Sequence, residues 1–195
     1  MKAMAPLGND RMAVANRSDT VYLISAAGVL ARMPVGAEVT AITASTGRPQ
    51  GTMYMGTSTG KLLKGWPGSR LLELDDVSRA VEVIAIDADG TSLAYVDARG
   101  HFGVVLNVDK RKEHDETWVP EQLGDPQRLA GIPRQIIFDK SGVLYLGFGT
   151  RVERHYSSLR AMRERLCELS GRNWSKEEPL WISKYDVLVS DPCHQ

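Results

Sequence analysis

Short apolar runs of four or five residues, each interrupted by a polar turn, recur along the chain as far as residue 156. Residues 12–16 (Met-Ala-Val-Ala-Asn) lead through Ser18-Asp19 into 20–24 (Thr-Val-Tyr-Leu-Ile). The same strand–turn–strand pattern returns at 52–56 and 61–64 around Thr59-Gly60, and at 92–96 and 101–105 around Arg99-Gly100. It returns again at 143–147 and 151–154 around Gly149-Thr150. Alternating apolar and polar positions mark half-buried strands, and glycine between them takes positive φ without steric penalty. The turns at Asp19, Gly60, Gly100 and Gly149 lie 41, 40 and 49 residues apart. Further runs precede three of the hairpins, at 39–43, 83–87 and 135–139; Asp89-Gly90 and Ser141-Gly142 join the last two to their hairpins. Outer strands are expected at 29–35 and 70–74. A period near 40 with about four strands per unit predicts the blades of a β-propeller. The expected fold is mainly β: a partial or small propeller of about four blades. Its first unit begins at Met12 without a leading strand, and its fourth has no outer strand.

Two segments break the period. The long third spacing requires an insertion at 109–133, charged at first and then spaced by Pro and Gly, which reads as a solvated loop. After Tyr156 the period becomes helical, with Leu159, Met162, Leu166 and Leu169 on one face. Gly171 suits a helix C-cap, and Ser175-Lys-Glu-Glu178 has the form of a capping box for a short second helix, brief because of Pro179. Residues 185–190 read as a final strand. The expected organisation is therefore a repeat region, 1–156, and a helical tail, 157–195.

Composition narrows the function classes. Apolar residues make up 43% of the chain, enough for a sizeable core. Lys plus Arg and Asp plus Glu are balanced at 24 each, so no global field draws the chain to nucleic acid or an anionic membrane. No signal-peptide pattern opens the chain, and its apolar runs are too short for a membrane-spanning helix. Two cysteines, Cys167 and Cys193, do not make a secreted disulfide framework, so the cytoplasm is the expected compartment.

Several local patterns resemble chemistry and read better as structure. Gly56-Thr-Ser-Thr-Gly-Lys61 has one residue too few between its glycines for a phosphate loop, and Leu62 follows the lysine where Ser or Thr is needed. Asp87-Ala-Asp-Gly90 opens like a calcium loop, but Ala98 stands near the place of the closing Glu. Cys167, Cys193 and His194 lack a fourth zinc ligand. His101, His114, His155 and His194 are scattered, with no local nucleophile. No catalytic, cofactor or metal residue is assigned, and no cofactor is expected. Trp118, Trp174 and Trp181 lie outside the repeats and are the candidate interaction residues, since aromatics with a polar handle are enriched at interfaces; packing of the tail against the repeats is the alternative.

The units, such as residues 83–100, resemble WD40 blades of the form apolar strand, Asp-Gly, Leu-Ala, polar turn, Gly, although the Trp-Asp signature is missing and Lys64-Gly-Trp66 comes closest. The tail Leu166-Cys-Glu-Leu-Ser-Gly-Arg-Asn-Trp-Ser-Lys-Glu-Glu178 resembles the helical segment closing many bacterial WD40 proteins, with Trp174 in place of the usual Leu and Pro179 where Trp is expected. In that family the propeller often ends a signal-transduction ATPase with numerous domains or a serine/threonine kinase. The resemblance implies a non-catalytic protein-interaction or sensor module. WD40 rings usually have about seven blades. Four units imply a fragment of a longer chain, a naturally short subunit, or a half-ring completed by another chain. Two alternatives stand beside this reading. One is a propeller enzyme, a metal-dependent hydrolase or lyase, using Asn16, Asp87 and Asp139 at comparable blade positions. The other is a structural subunit of a larger assembly.

Overall fold

Four antiparallel meanders follow one another along the chain, in a computed structural model that describes residues 3–16, 18–45, 51–112 and 117–156. Sheet 1 comprises β1 (Ala3–Gly8), β2 (Arg11–Ala15), β3 (Thr20–Ser25) and β4 (Gly28–Pro34). Sheet 2 comprises β5 (Val39–Ala44), β6 (Met53–Thr57), β7 (Lys61–Gly65) and β8 (Leu72–Asp76). Sheet 3 contains β9 (Val81–Ile86), β10 (Leu93–Asp97) and β11 (His101–Leu106); β11 also pairs with the two-residue strands β12 (Glu121–Gln122) and β13 (Gln127–Arg128). Sheet 4 has three strands, β14 (Gln135–Phe138), β15 (Val143–Gly147) and β16 (Val152–Tyr156). The fold is thus mainly β, as the alternating pattern predicts.

The first unit does possess a leading strand, contrary to expectation. β1 pairs with β2 through the two-residue turn Asn9-Asp10, whose φ angles of 51° and 56° fit a type I′ hairpin. Its pattern was present in the sequence: Ala5 and Leu7 are buried, and Met4 and Pro6 between them are exposed. Pro6 and the scarcity of β-branched residues disguised it. The expected loop at 109–133 likewise supplies β12 and β13 as the outer edge of sheet 3, and Leu123 and Leu129 pack on the core. The two strands are too short and too polar to carry an alternation signal. The expected helices of the tail and its strand at 185–190 lie outside the described residues.

The sheets stack face to face. Sheet 1 packs Ala5, Ala13 and Val21 against Ile42, Met53 and Met55 of sheet 2. Sheet 2 turns Tyr54, Leu62 and Leu74 toward Val81, Leu93 and Tyr95 of sheet 3. Sheet 3 turns Ala94, Val96 and Val104 toward Ile136, Leu144 and Leu146 of sheet 4. The leading strands β1, β5, β9 and β14 touch in succession. Burial of both faces explains why strands such as β6 and β10 are apolar or small at nearly every position rather than strictly alternating. The stack does not close into a ring among the described residues.

One turn design recurs. At Thr57–Lys61, Asp87–Thr91, Asp97–His101 and Asp139–Val143, the first side chain accepts the N–H of the fifth residue, at 2.9, 2.7, 2.8 and 2.9 Å respectively. The fourth residue is always glycine with positive φ: Gly60, Gly90, Gly100 and Gly142. Its N–H returns to the first residue's carbonyl. This is a side-chain-capped turn ending in a left-handed residue, the usual basis of Asp and Thr preference at such sites. Gly60 is the most constrained: a Cβ there would lie 2.4 Å from the Arg79 nitrogen, and its φ is +97°. Gly60→Ala should therefore destabilise the protein by roughly 2 kcal/mol or more, read as a lowered midpoint in urea. An unchanged midpoint would show that the turn relaxes freely.

Candidate functional site

The polar side chains singled out from the sequence as a catalytic set, Asn16, Asp87 and Asp139, each directly follow a strand of a different sheet, β2, β9 and β14. Asn16 is exposed at the end of sheet 1. Asp87 spends both carboxylate oxygens on Thr91, accepting its N–H and its Oγ1–H at 2.7 Å each. Asp139 accepts the N–H and hydroxyl of Ser141 and the N–H of Val143. The phosphate-loop look-alike is the β6–β7 hairpin, with Thr57 as its cap. His101 does have a charged neighbour: Asp97 Oδ2 lies 2.9 Å from its Nδ1 and 3.5 Å from the Arg79 guanidinium. Asp97 Oδ1 accepts the N–H groups of Arg99 and His101, so this buried carboxylate organises the β10–β11 turn.

Of the candidate interaction residues, Trp118 is half-buried against the core between sheets 2 and 3, with the Arg111 guanidinium 5.5 Å from its ring centre. Trp174 and Trp181 lie outside the described residues. The aromatic that the fold does present is Trp66, 42% exposed, in the turn after β7. Trp66-Pro-Gly-Ser69 is a Pro-Gly turn, and Gly68 has φ +83°. Ser69 Oγ locks it, accepting the Trp66 N–H and donating to the Trp66 carbonyl. The residue type and the turn signal were both legible; that the turn overhangs a cleft was not.

The cleft lies at one end of the seam between sheets 1 and 2 and has a volume of about 360 Å³. Leu7, Leu23 and Pro67 give it apolar walls, and Gly51, Thr52, Trp66 and Arg11 complete its lining. Arg11 follows the tight Asn9-Asp10 turn and shares the sheet face of Ala13 and Ala15, directed toward sheet 2. Its Nε is sealed from solvent without a hydrogen-bond partner, and no ion pair reaches its guanidinium among the described residues. A donor buried without a partner costs about 1–3 kcal/mol, so an acceptor that reached Arg11 Nε would relieve that cost. Apolar walls beside a cation that makes no ion pair among the described residues suit a ligand with an aliphatic body and an anionic end.

The class defined by these observations is a stack of four antiparallel sheets of three to five strands. No protein-family model matches the chain, and no curated protein sequence matches it. Among solved structures, the crystal structure of the computationally designed Ika4 protein superposes with a TM-score of 0.60 at 15% identity, over 80% of this chain and 90% of that one. At that identity the likeness concerns the fold alone. No helix among the described residues is long and apolar enough to cross a membrane.

Proposed function

We propose that the chain is a non-catalytic interaction module, built as a partial propeller of four WD40-like blades and serving a cytoplasmic signalling protein as a sensor or scaffold. The observation that carries the reading is the Arg11–Trp66 cleft, where a guanidinium with no ion pair among the described residues and an exposed indole meet apolar walls. Arg and Trp are the residues most often dominant at protein interfaces, the one for bidentate recognition of carboxylates and the other for area buried at little entropic cost. The partner is a protein segment placing Asp, Glu or a terminal carboxylate beside an aliphatic side chain. The repeat period and the consecutive meanders support the propeller part of the reading, and the carboxylates committed to their own turns favour a recognition role for the surface.

Selection from a displayed random-peptide library tests this. Wild-type protein should enrich sequences pairing an acidic group with an aliphatic one. Arg11→Ala and Trp66→Ala should each weaken the enriched peptide at least tenfold, equivalent to about 1.4 kcal/mol. Peptides that bind both variants as well as wild type would place recognition elsewhere.

A further inference from the structure

Equivalent positions of the four sheets are buried in three and bare in one. In the leading strands, Ile42, Ile84 and Ile136 occupy the same register position, opposite Met55, Tyr95 and Leu146 respectively. Each packs on the preceding sheet and is at most 8% exposed. The matching pair in sheet 1 is Met4 opposite Val14, and Met4 is 58% exposed, with Met12 beside it also exposed. Nothing in sheet 1 explains large apolar side chains here except a sheet still to be covered.

The opposite end of the stack offers what those residues need. The face of sheet 4 that turns away from sheet 3 carries Tyr145 and Gly147, two residues apart on β15, matching Tyr54 and Gly56 on β6 of sheet 2. In sheet 2 that face is fully covered: Tyr54 is buried with its hydroxyl donating to the Gly90 carbonyl of sheet 3, and a Cβ on Gly56 would lie 2.5 Å from Val81 of β9. In sheet 4 the face is open, with Ile137, the cross-strand partner of Tyr145, half exposed and only a backbone oxygen within 4 Å of a Cβ on Gly147.

We infer that a second copy of this chain covers both ends, seating its sheet 1 (Met4, Met12, Val14) on sheet 4 (Ile137, Tyr145, Gly147) of the first, and reciprocally. The junction continues the interface that already joins sheets 1 to 2, 2 to 3 and 3 to 4. Among the described residues both faces are exposed at once, and none of the four described sheets covers either of them. Reciprocal seating gives two identical head-to-tail junctions and a closed pair of eight sheets, with no strand face left over. The balanced charge of the chain sets up no long-range repulsion between copies. The inference concerns the ends of the stack and is independent of the Arg11 cleft.

Mass measured by light scattering on the full chain at micromolar concentration tests it. The expected value is twice 21.5 kDa. Met4→Glu and Tyr145→Glu should each give the single-chain mass with an unchanged β circular dichroism spectrum, since both act on side chains that one chain leaves at least partly exposed. Mixing the two variants should restore a two-chain species, because one of its two junctions then has both faces native. Wild type at the single-chain mass, an open ladder of larger masses, dimers that survive both substitutions, or variants that fail to recombine on mixing would each overturn the inference.

Discussion

A Lys64→Met variant should melt about 6–12 °C below wild type, a loss of roughly 3 kcal/mol for a domain of this size. Lys64 is a buried cation on β7, only 6% exposed, and it makes no ion pair among the described residues. Its Nζ donates instead to the carbonyls of Val108, Asp109 and Arg111 at 2.9, 3.1 and 3.3 Å. Those carbonyls belong to and follow the 3-10 turn Val108–Lys110, where the chain leaves β11, so one side chain of sheet 2 pins the exit of sheet 3. Methionine matches the length and removes the desolvation cost of the charge. It also leaves three acceptors facing a thioether, each costing about 1–3 kcal/mol where water does not replace the donor. The second effect wins because the lost bonds outnumber the single charge relieved. Burial lowers the Lys64 pKa, against the opposing pull of Asp109. In the alkaline window between that lowered value and the free-lysine value of about 10.4, the unfolded chain binds the extra proton, so wild-type stability contains a component that rises with pH there. The Met variant should lack it. Thermal melts at neutral and alkaline pH measure both effects, and a variant as stable as wild type would show that the turn holds without the lysine.

The second large effect is expected at Asp97. Burial pushes its carboxyl up, but the bonds from the His101 N–H and ring, the Arg99 N–H and the charge of His101 outweigh burial and hold it below the ordinary value. Asp97→Ala should destabilise by about 3 kcal/mol at neutral pH, because it strands two turn N–H groups and the imidazole together. The sign with pH follows from the lowered pKa. The stabilisation is complete above the unfolded value of about 3.9 and is lost as pH falls through the lower native value. The gap between wild type and variant in urea midpoint should therefore be constant near neutrality and close in acid. A gap that persists unchanged at the lowest pH would assign the effect to packing and not to the carboxylate.

The recurrence of hairpins was legible from apolar alternation and glycine position alone. So were the capped turns, because Asp-x-x-Gly and Thr-x-x-Gly encode their geometry within five residues. The leading strand at Ala3–Gly8 could have been read from Ala5 and Leu7 alternating with Met4 and Pro6, had the proline not argued against it. Trp66 was visible as an indole beside a Pro-Gly turn. What no local pattern contained was which faces meet. Met53 and Met12 are the same residue at equivalent positions, yet Met53 is sealed by the preceding sheet and Met12 is exposed, because only sheet 2 has a neighbour on that side. Lys64 reads as a surface cation until β7 is stacked beneath the exit of β11. Arg11 Nε becomes a buried donor without a partner only where the turn bearing Trp66 meets the seam. Strand, turn and repeat are determined by interactions within a few residues. Burial of the sheet faces, the anchoring of Lys64 and the cleft depend on contacts between different sheets, such as the Thr40–Val81 and Lys64–Val108 bonds, and those exist only once the sheets have stacked.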